Sequence, residues 1–161
     1  MATKKKKKNN IQENGLYTMD VCIVGGPVED DFIEQNPIIS RTIEIRGDQT
    51  LEDLHHEIFD AFDREEEHMY EFQIGGKGPN DPKAKQYGLP GKGDGEASKT
   101  TIHSLKLKTD DIFGYWFDFG DDWWHQINLI SIKKEIPVGN YPRVVKKVGD
   151  SPPQYPDYED E

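Results

Sequence analysis

Cysteine is nearly missing from this chain of 161 residues: Cys22 stands alone, so no internal disulfide can form. The paired CxxC and CxxH spacings of zinc fingers are missing with it. Arginine is scarce, at Arg41, Arg46, Arg64 and Arg143. No apolar run approaches the ~20 residues that cross a bilayer. The basic N-terminus is not followed by the apolar segment of a secretory signal. The expected setting is therefore the cytoplasm, with no membrane association. Hydrophobic residues make up only 34% of the chain against 32% charged, so the core must be modest. Basic charge is in the minority, 20 Lys+Arg against 31 Asp+Glu, for a net charge of −11. Specific binding to duplex DNA is unexpected on that balance, because phosphate affinity comes chiefly from Lys and Arg releasing counterions.

What the chain does hold is aromatic residues, 11% of the total and clustered. A length of this size suits one domain with an aromatic-rich core and polar ends. Residues 1–15 carry the block Lys4 to Lys8, which repels itself and has nothing to bury, so they read as a disordered basic tail. Residues 16–149 read as a single α+β domain. Residues 150–161, with five acids and no base, read as an acidic, Pro- and Tyr-rich tail.

Within the domain, Leu16 to Val24 alternates apolar Tyr17, Met19, Val21 and Ile23 against Thr18, Asp20 and Cys22, the period of a strand. Glu29 to Glu34 reads as an acidic loop. Ile38 to Arg46 is a second strand with Ile39, Ile43 and Ile45 on one face. Thr50 followed by Asp53 forms a capping-box pattern, and Leu51, Leu54, Ile58, Ala61 and Phe62 make one helical stripe. That predicts a helix over 51–62. His68 to Ile74 is a third strand. Residues 75–95 hold seven glycines and three prolines without apolar period, and read as a long mobile loop. Thr101 to Leu105 suggests a helical turn. Ile112 to Phe119 and Trp123 to Ile132 alternate again around the turn Gly120-Asp121-Asp122, which predicts an antiparallel aromatic hairpin. After Glu135 the chain reads as extended and irregular. The expected fold is α+β, a mainly antiparallel sheet covered by one main helix. Its strand-strand-helix-strand-hairpin order is β-grasp-like.

The segments TIEIRGDQTLEDLHHEIFDAF, HMYEFQIGG and YWFDFGDDWWHQINLI, with YPRVV and SPP further on, resemble the plasmid Ri open-reading-frame-three-like family. Its members are often labelled insertion-element passenger resolvases, and their function is uncharacterised. The resemblance spans roughly Tyr17 to Pro153. A serine recombinase needs a nucleophilic serine among arginines and a basic DNA-reading helix. Neither pattern is present here.

Three functional readings follow. The first is a non-enzymatic protein-interaction domain. Alternation puts Trp123 and Trp124 on opposite faces, so one indole lies off the core beside acids. Trp116, Trp124, Asp118, Asp121 and Asp122 are then the candidate contacts with an unknown protein partner, and no cofactor is expected. The second is a metal-dependent hydrolase in which Asp118, Asp121 and His125 hold a divalent cation, provided the strand register lets them converge. A wider set of His55, His68 and His125 would suit zinc. The third is mobile-element-associated nucleic-acid binding through the Lys4 to Lys8 arm. No GxSxG context surrounds any serine, and Cys22 reads as a structural thiol.

Overall fold

Alternating side chains build the strands that this alternation predicts, and local anchors build the rest. The computed structural model describes residues 15–156, so the Lys4 to Lys8 arm and the last five residues lie outside it. β1 (Leu16–Gly25), β2 (Ser40–Arg46) and β3 (Tyr70–Ile74) lie where their apolar alternation predicts. So do β6 (Ile112–Phe117) and β7 (Trp123–Lys133). Three further segments differ from the sequence expectation. The acidic stretch before β2 is a short helix, α1 (Asp30–Gln35), with Asp30 and Asp31 at its positive first turn and Phe32 packed on the core. The Gly-rich segment contains β4 (Lys85–Gly88) and β5 (Gly95–Glu96). The expected irregular C-terminal stretch contains β8 (Arg143–Val148).

The main helix, α2 (Leu51–Ala61), begins with a complete capping box. The Thr50 hydroxyl accepts from the Asp53 amide at 3.1 Å, and the Asp53 carboxylate accepts from the Thr50 amide at 2.9 Å. Its stripe of Leu51, Leu54 and Ile58 is fully buried.

The strands form one sheet in the order β5-β4-β3-β6-β7-β1-β2-β8. Every pairing is antiparallel except β4 with β5, which is parallel. This corrects the expected β-grasp-like domain: the pairing is mainly antiparallel, but the parallel β4–β5 edge makes the sheet mixed, and the sheet is open. Among the described residues the fold is an open, eight-stranded mixed sheet with one main helix. The reason lies in the hairpin. Its inner face carries Phe113, Tyr115, Phe117, Trp123, Ile127 and Leu129, all buried. A strand pair that apolar is best placed in mid-sheet, and β6–β7 inserts between β3 and β1 rather than adding at an edge. The crossover through α2 therefore passes three strands between β2 and β3. The core is the layer between α2 and that sheet face, completed by Met19, Val21, Ile43, Ile45 and Phe72.

Gly114 of β6 shows how the Gly-rich segment is seated. A Cβ there would lie 2.6 Å from both the Gln73 side-chain oxygen and Pro79 Cα. The bare backbone lets residues 79–80 lie against the sheet, where the Asn80 amide donates to Gln73 Oε1 at 2.6 Å. At the other edge, β8 is held by Arg41. Its guanidinium donates to Ala61 O at 2.9 Å, Ser40 O at 2.7 Å, Val148 O at 3.1 Å, Gly149 O at 3.0 Å and Ser151 Oγ at 2.9 Å. One buried side chain so ties the end of α2 to β2, β8 and the residues that follow. The exposed Lys146 and Lys147 on β8 suit an edge strand, where charge discourages further pairing. Residues 150–156 run irregularly over the body, with Gln154 Oε1 accepting from the Glu65 and Glu66 amides at 2.7 and 3.0 Å. No helix among the described residues is long and apolar enough to cross a membrane.

Candidate functional site

The β6–β7 register sets Trp116 opposite Trp124, Phe117 opposite Trp123 and Tyr115 opposite His125. Alternation then splits the hairpin into two chemically different sides. On the outer side the Trp116 and Trp124 rings stack at 4.8 Å and 8°, and Phe119 stacks on Trp116 at 4.1 Å and 29°. All three are half-buried. The Trp116 indole N–H donates to Asp122 Oδ1 at 2.9 Å, which fixes the ledge to the turn.

The turn is shaped by its aspartates. Asp118 and Asp122 adopt left-handed backbone, with φ of 63° and 60°. Asp118 Oδ1 accepts from the Gly120 amide at 3.1 Å and the Asp121 amide at 3.2 Å, an Asx-type closure. Its Oδ2 lies 3.4 Å from His68 Nε2. Asp118 is buried, whereas Asp121 and Asp122 are exposed.

Behind the turn lies a buried polar network that sequence patterning does not announce. His125 Nδ1 donates to Tyr115 O at 3.1 Å, and its Nε2 accepts from Arg64 Nη2 at 2.9 Å. Burial, and then the Arg64 cation, hold His125 well below the usual imidazole range, so the ring is neutral. Burial lowers Arg64 to about 10, opposed by Tyr115 and Asp118, and the guanidinium stays charged at neutral pH. Its Cζ lies 4.9 to 5.3 Å from the ring centres of Phe62, Phe117 and Trp123. Gly26 keeps this box closed from the other side, since a Cβ there would lie 2.6 Å from Trp123 Cε3.

The network continues toward α2. The Tyr115 hydroxyl lies 2.5 Å from His55 Nδ1, and His55 Nε2 lies 2.8 Å from Glu67 Oε1. Burial lowers His55 to about 3, helped by His56 and Arg64. The contact with Glu67 is thus a hydrogen bond from a neutral ring and not an ion pair. Tyr70 stacks on His55 with centroids 3.6 Å apart and planes within 3°.

Trp116, Trp124, Asp118, Asp121 and Asp122 accordingly share the hairpin end. His125 does not join Asp118 and Asp121. Its two nitrogens face Tyr115 and Arg64, on the core side of the sheet. Nor do His55, His68 and His125 meet, since His68 turns to the Tyr155 hydroxyl at 2.6 Å. Among the described residues, three metal-competent ligand atoms lie within 4.8 Å of one another at His55, His56 and Glu67. Sequence reasoning assigns no site role to Arg64 or Glu67, and reads Tyr115 only as one of the clustered aromatics. The available signal is the lone arginine of the acidic DREEEH segment, a cation placed where helix gives way to strand.

No curated protein matches the chain. A solved structure that does match is the crystal structure of MM3350, a protein of unknown function from Methanosarcina mazei Go1. The likeness has a TM-score of 0.66 and 24% identity over 86% of this chain and 72% of that one, and it speaks for the fold alone. The family described as plasmid pRiA4b ORF-3-like protein matches residues 31–157, which include α2, the hairpin and the buried network. The chain belongs to the plasmid pRiA4b ORF-3-like family, whose function is uncharacterised.

Proposed function

We propose that this protein is a non-enzymatic interaction domain that binds a partner protein through the outer side of the β6–β7 hairpin end. The observation that carries the reading is the three-ring stack of Trp124, Trp116 and Phe119, which lies off the core with carboxylates on its rim. Aromatic side chains are favoured anchors at protein interfaces because they bury large areas at little entropic cost. Indole faces beside Asp121 and Asp122 suit a partner segment that presents Lys or Arg, since cation–π and carboxylate contacts reinforce each other. Asp118 contributes by closing the turn and Asp122 by holding the Trp116 indole. The single half-buried thiol of Cys22 supports a reducing, cytoplasmic setting.

The test is a tryptophan-fluorescence titration of the full chain with a short Arg/Lys-rich peptide, alongside Trp124→Ala and Asp121→Ala. Saturable binding that weakens in both variants, with unchanged circular dichroism, supports the reading. Equal binding in wild type and both variants, or none in any of them, removes it.

A further inference from the structure

We propose that His55, His56 and Glu67 form a divalent-metal site of the zinc-binding class, separate from the hairpin surface and independent of the partner-binding reading. The donor set is two imidazole nitrogens and one carboxylate oxygen, a combination that suits Zn2+. The three ligand atoms already lie within 4.8 Å of one another. Around a zinc ion with bonds of ~2.0–2.1 Å, tetrahedral ligand atoms stand roughly 3.3 Å apart. The 2.8 Å contact between His55 Nε2 and Glu67 Oε1 need open by only a few tenths of an ångström. The remaining separations need to close by no more than about 1.5 Å, within the reach of the exposed His56 and Glu67 side chains.

His55 has the support a metal-ligating histidine needs. Its other nitrogen, Nδ1, meets the Tyr115 hydroxyl at 2.5 Å. A phenol both donates and accepts, so it can take an Nδ1–H when Nε2 turns its lone pair to a metal. The stacked Tyr70 ring fixes the plane of the imidazole. His55 sits on a capped helix and its partner Tyr115 on a central strand, so the rigid half of the site is set by the fold. His56 and Glu67 face solvent, which leaves the fourth position to water.

The sequence logic is economical. Two adjacent histidines at mid-helix, followed by Glu67 before β3, supply all three ligands within one helix-to-strand connection. The packing of Tyr115 on His55 then links the site to the buried network, whose purpose packing alone leaves unexplained.

The experiment is a Zn2+ titration of chelator-stripped, untagged full chain against a chromogenic zinc indicator, with Co2+ absorption as a second readout. One equivalent should bind. His56→Ala and Glu67→Gln, both at exposed positions, should keep the wild-type circular dichroism and weaken binding by about 100-fold or more. Tyr115→Phe should weaken it by about 10–100-fold, as loss of an outer-shell partner does. His103→Ala, on an exposed turn outside the ligand cluster, should bind as wild type does. Bound Co2+ should show the intense visible bands of a four-coordinate site. Absence of saturable uptake, or wild-type affinity in both His56→Ala and Glu67→Gln, would overturn the proposal.

Discussion

Arg64 Nη2 donates to His125 Nε2 across 2.9 Å, with both residues buried among Phe62, Phe117 and Trp123. A guanidinium cannot accept, so His125 must offer a lone pair at Nε2 and carry its proton on Nδ1, aimed at Tyr115 O. A neutral histidine is thereby held against a permanent cation. The pairing costs desolvation of Arg64, which the three aromatic faces and the field of Asp118 partly offset.

Stability should therefore fall in mild acid. Burial and the Arg64 charge depress His125 in the folded state, while an unfolded histidine titrates near ~6.5. Arg64 and, at longer range, His55 disfavour its protonation, and the backbone hydrogen bonds to Tyr115 and Trp123, which favour it, do not outweigh burial and the Arg64 charge. Below about pH 6.5 the unfolded chain binds the extra proton, so this contribution is fully present above that pH and is lost as pH falls. The slope for one such group approaches ~1.4 kcal/mol per pH unit. Urea midpoints measured from pH 7.5 to 5 should drop accordingly, and His125→Gln should show a shallower drop. A slope unaffected by that substitution would refute the assignment.

Arg41 should be among the most sensitive single positions. It is buried and donates to four carbonyls and a hydroxyl on β2, α2, β8 and beyond. Arg41→Met keeps much of the volume but leaves Ala61, Val148 and Gly149 carbonyls without that donor. The expected loss is about 3 kcal/mol or more, read from denaturant unfolding. Limited proteolysis should also cut earlier around Ser151, because one of the two hydrogen bonds of its hydroxyl is gone and only that to Asp63 is left. A variant with wild-type midpoint would show that water replaces the guanidinium at little cost.

The capping box gives a smaller and cleaner test. Thr50→Ala removes the acceptor for the Asp53 amide and should cost about 1 kcal/mol, with the fold unchanged. Thr50→Ser should restore most of it, because the oxygen and not the methyl group does the capping. Equal loss in both variants would place the effect in packing instead.

The parts of the fold legible in the sequence are those with a local cause. Thr50 and Asp53 announce α2, and alternation announces β1, β2, β3, β6 and β7, because each needs only its own residues to show it. β4 and β8 were not legible for a physical reason. Lys85–Gly88 and Arg143–Val148 have no buried apolar alternation, and they become strands because β3 and β2 offer them partners. The β-grasp order fails for the same kind of reason, since sheet position depends on which face finds burial and not on chain order. At the hairpin, the opposite facing of Trp123 and Trp124 follows from period two alone. The inward aim of His125 depends on register, and Arg64 and Tyr115 meet only through packing between distant segments.

That split between neighbouring tryptophans yields the sharpest contrast. Trp123 is fully buried beside Gly26 and under Arg64, whereas Trp124 stacks on Trp116 on the outer side. Trp123→Ala removes a core indole and should cost about 3–5 kcal/mol or prevent folding. Trp124→Ala loses one ring stack and part of its buried area, and should cost about 1 kcal/mol. The fluorescence should divide in the same way, with iodide or acrylamide quenching the Trp116–Trp124 pair while Trp123 is shielded. Trp124→Ala should therefore reduce the quenchable fraction. Comparable stability losses in the two variants would mean that the outer stack is part of the core after all, and the proposed contact surface would lose its basis.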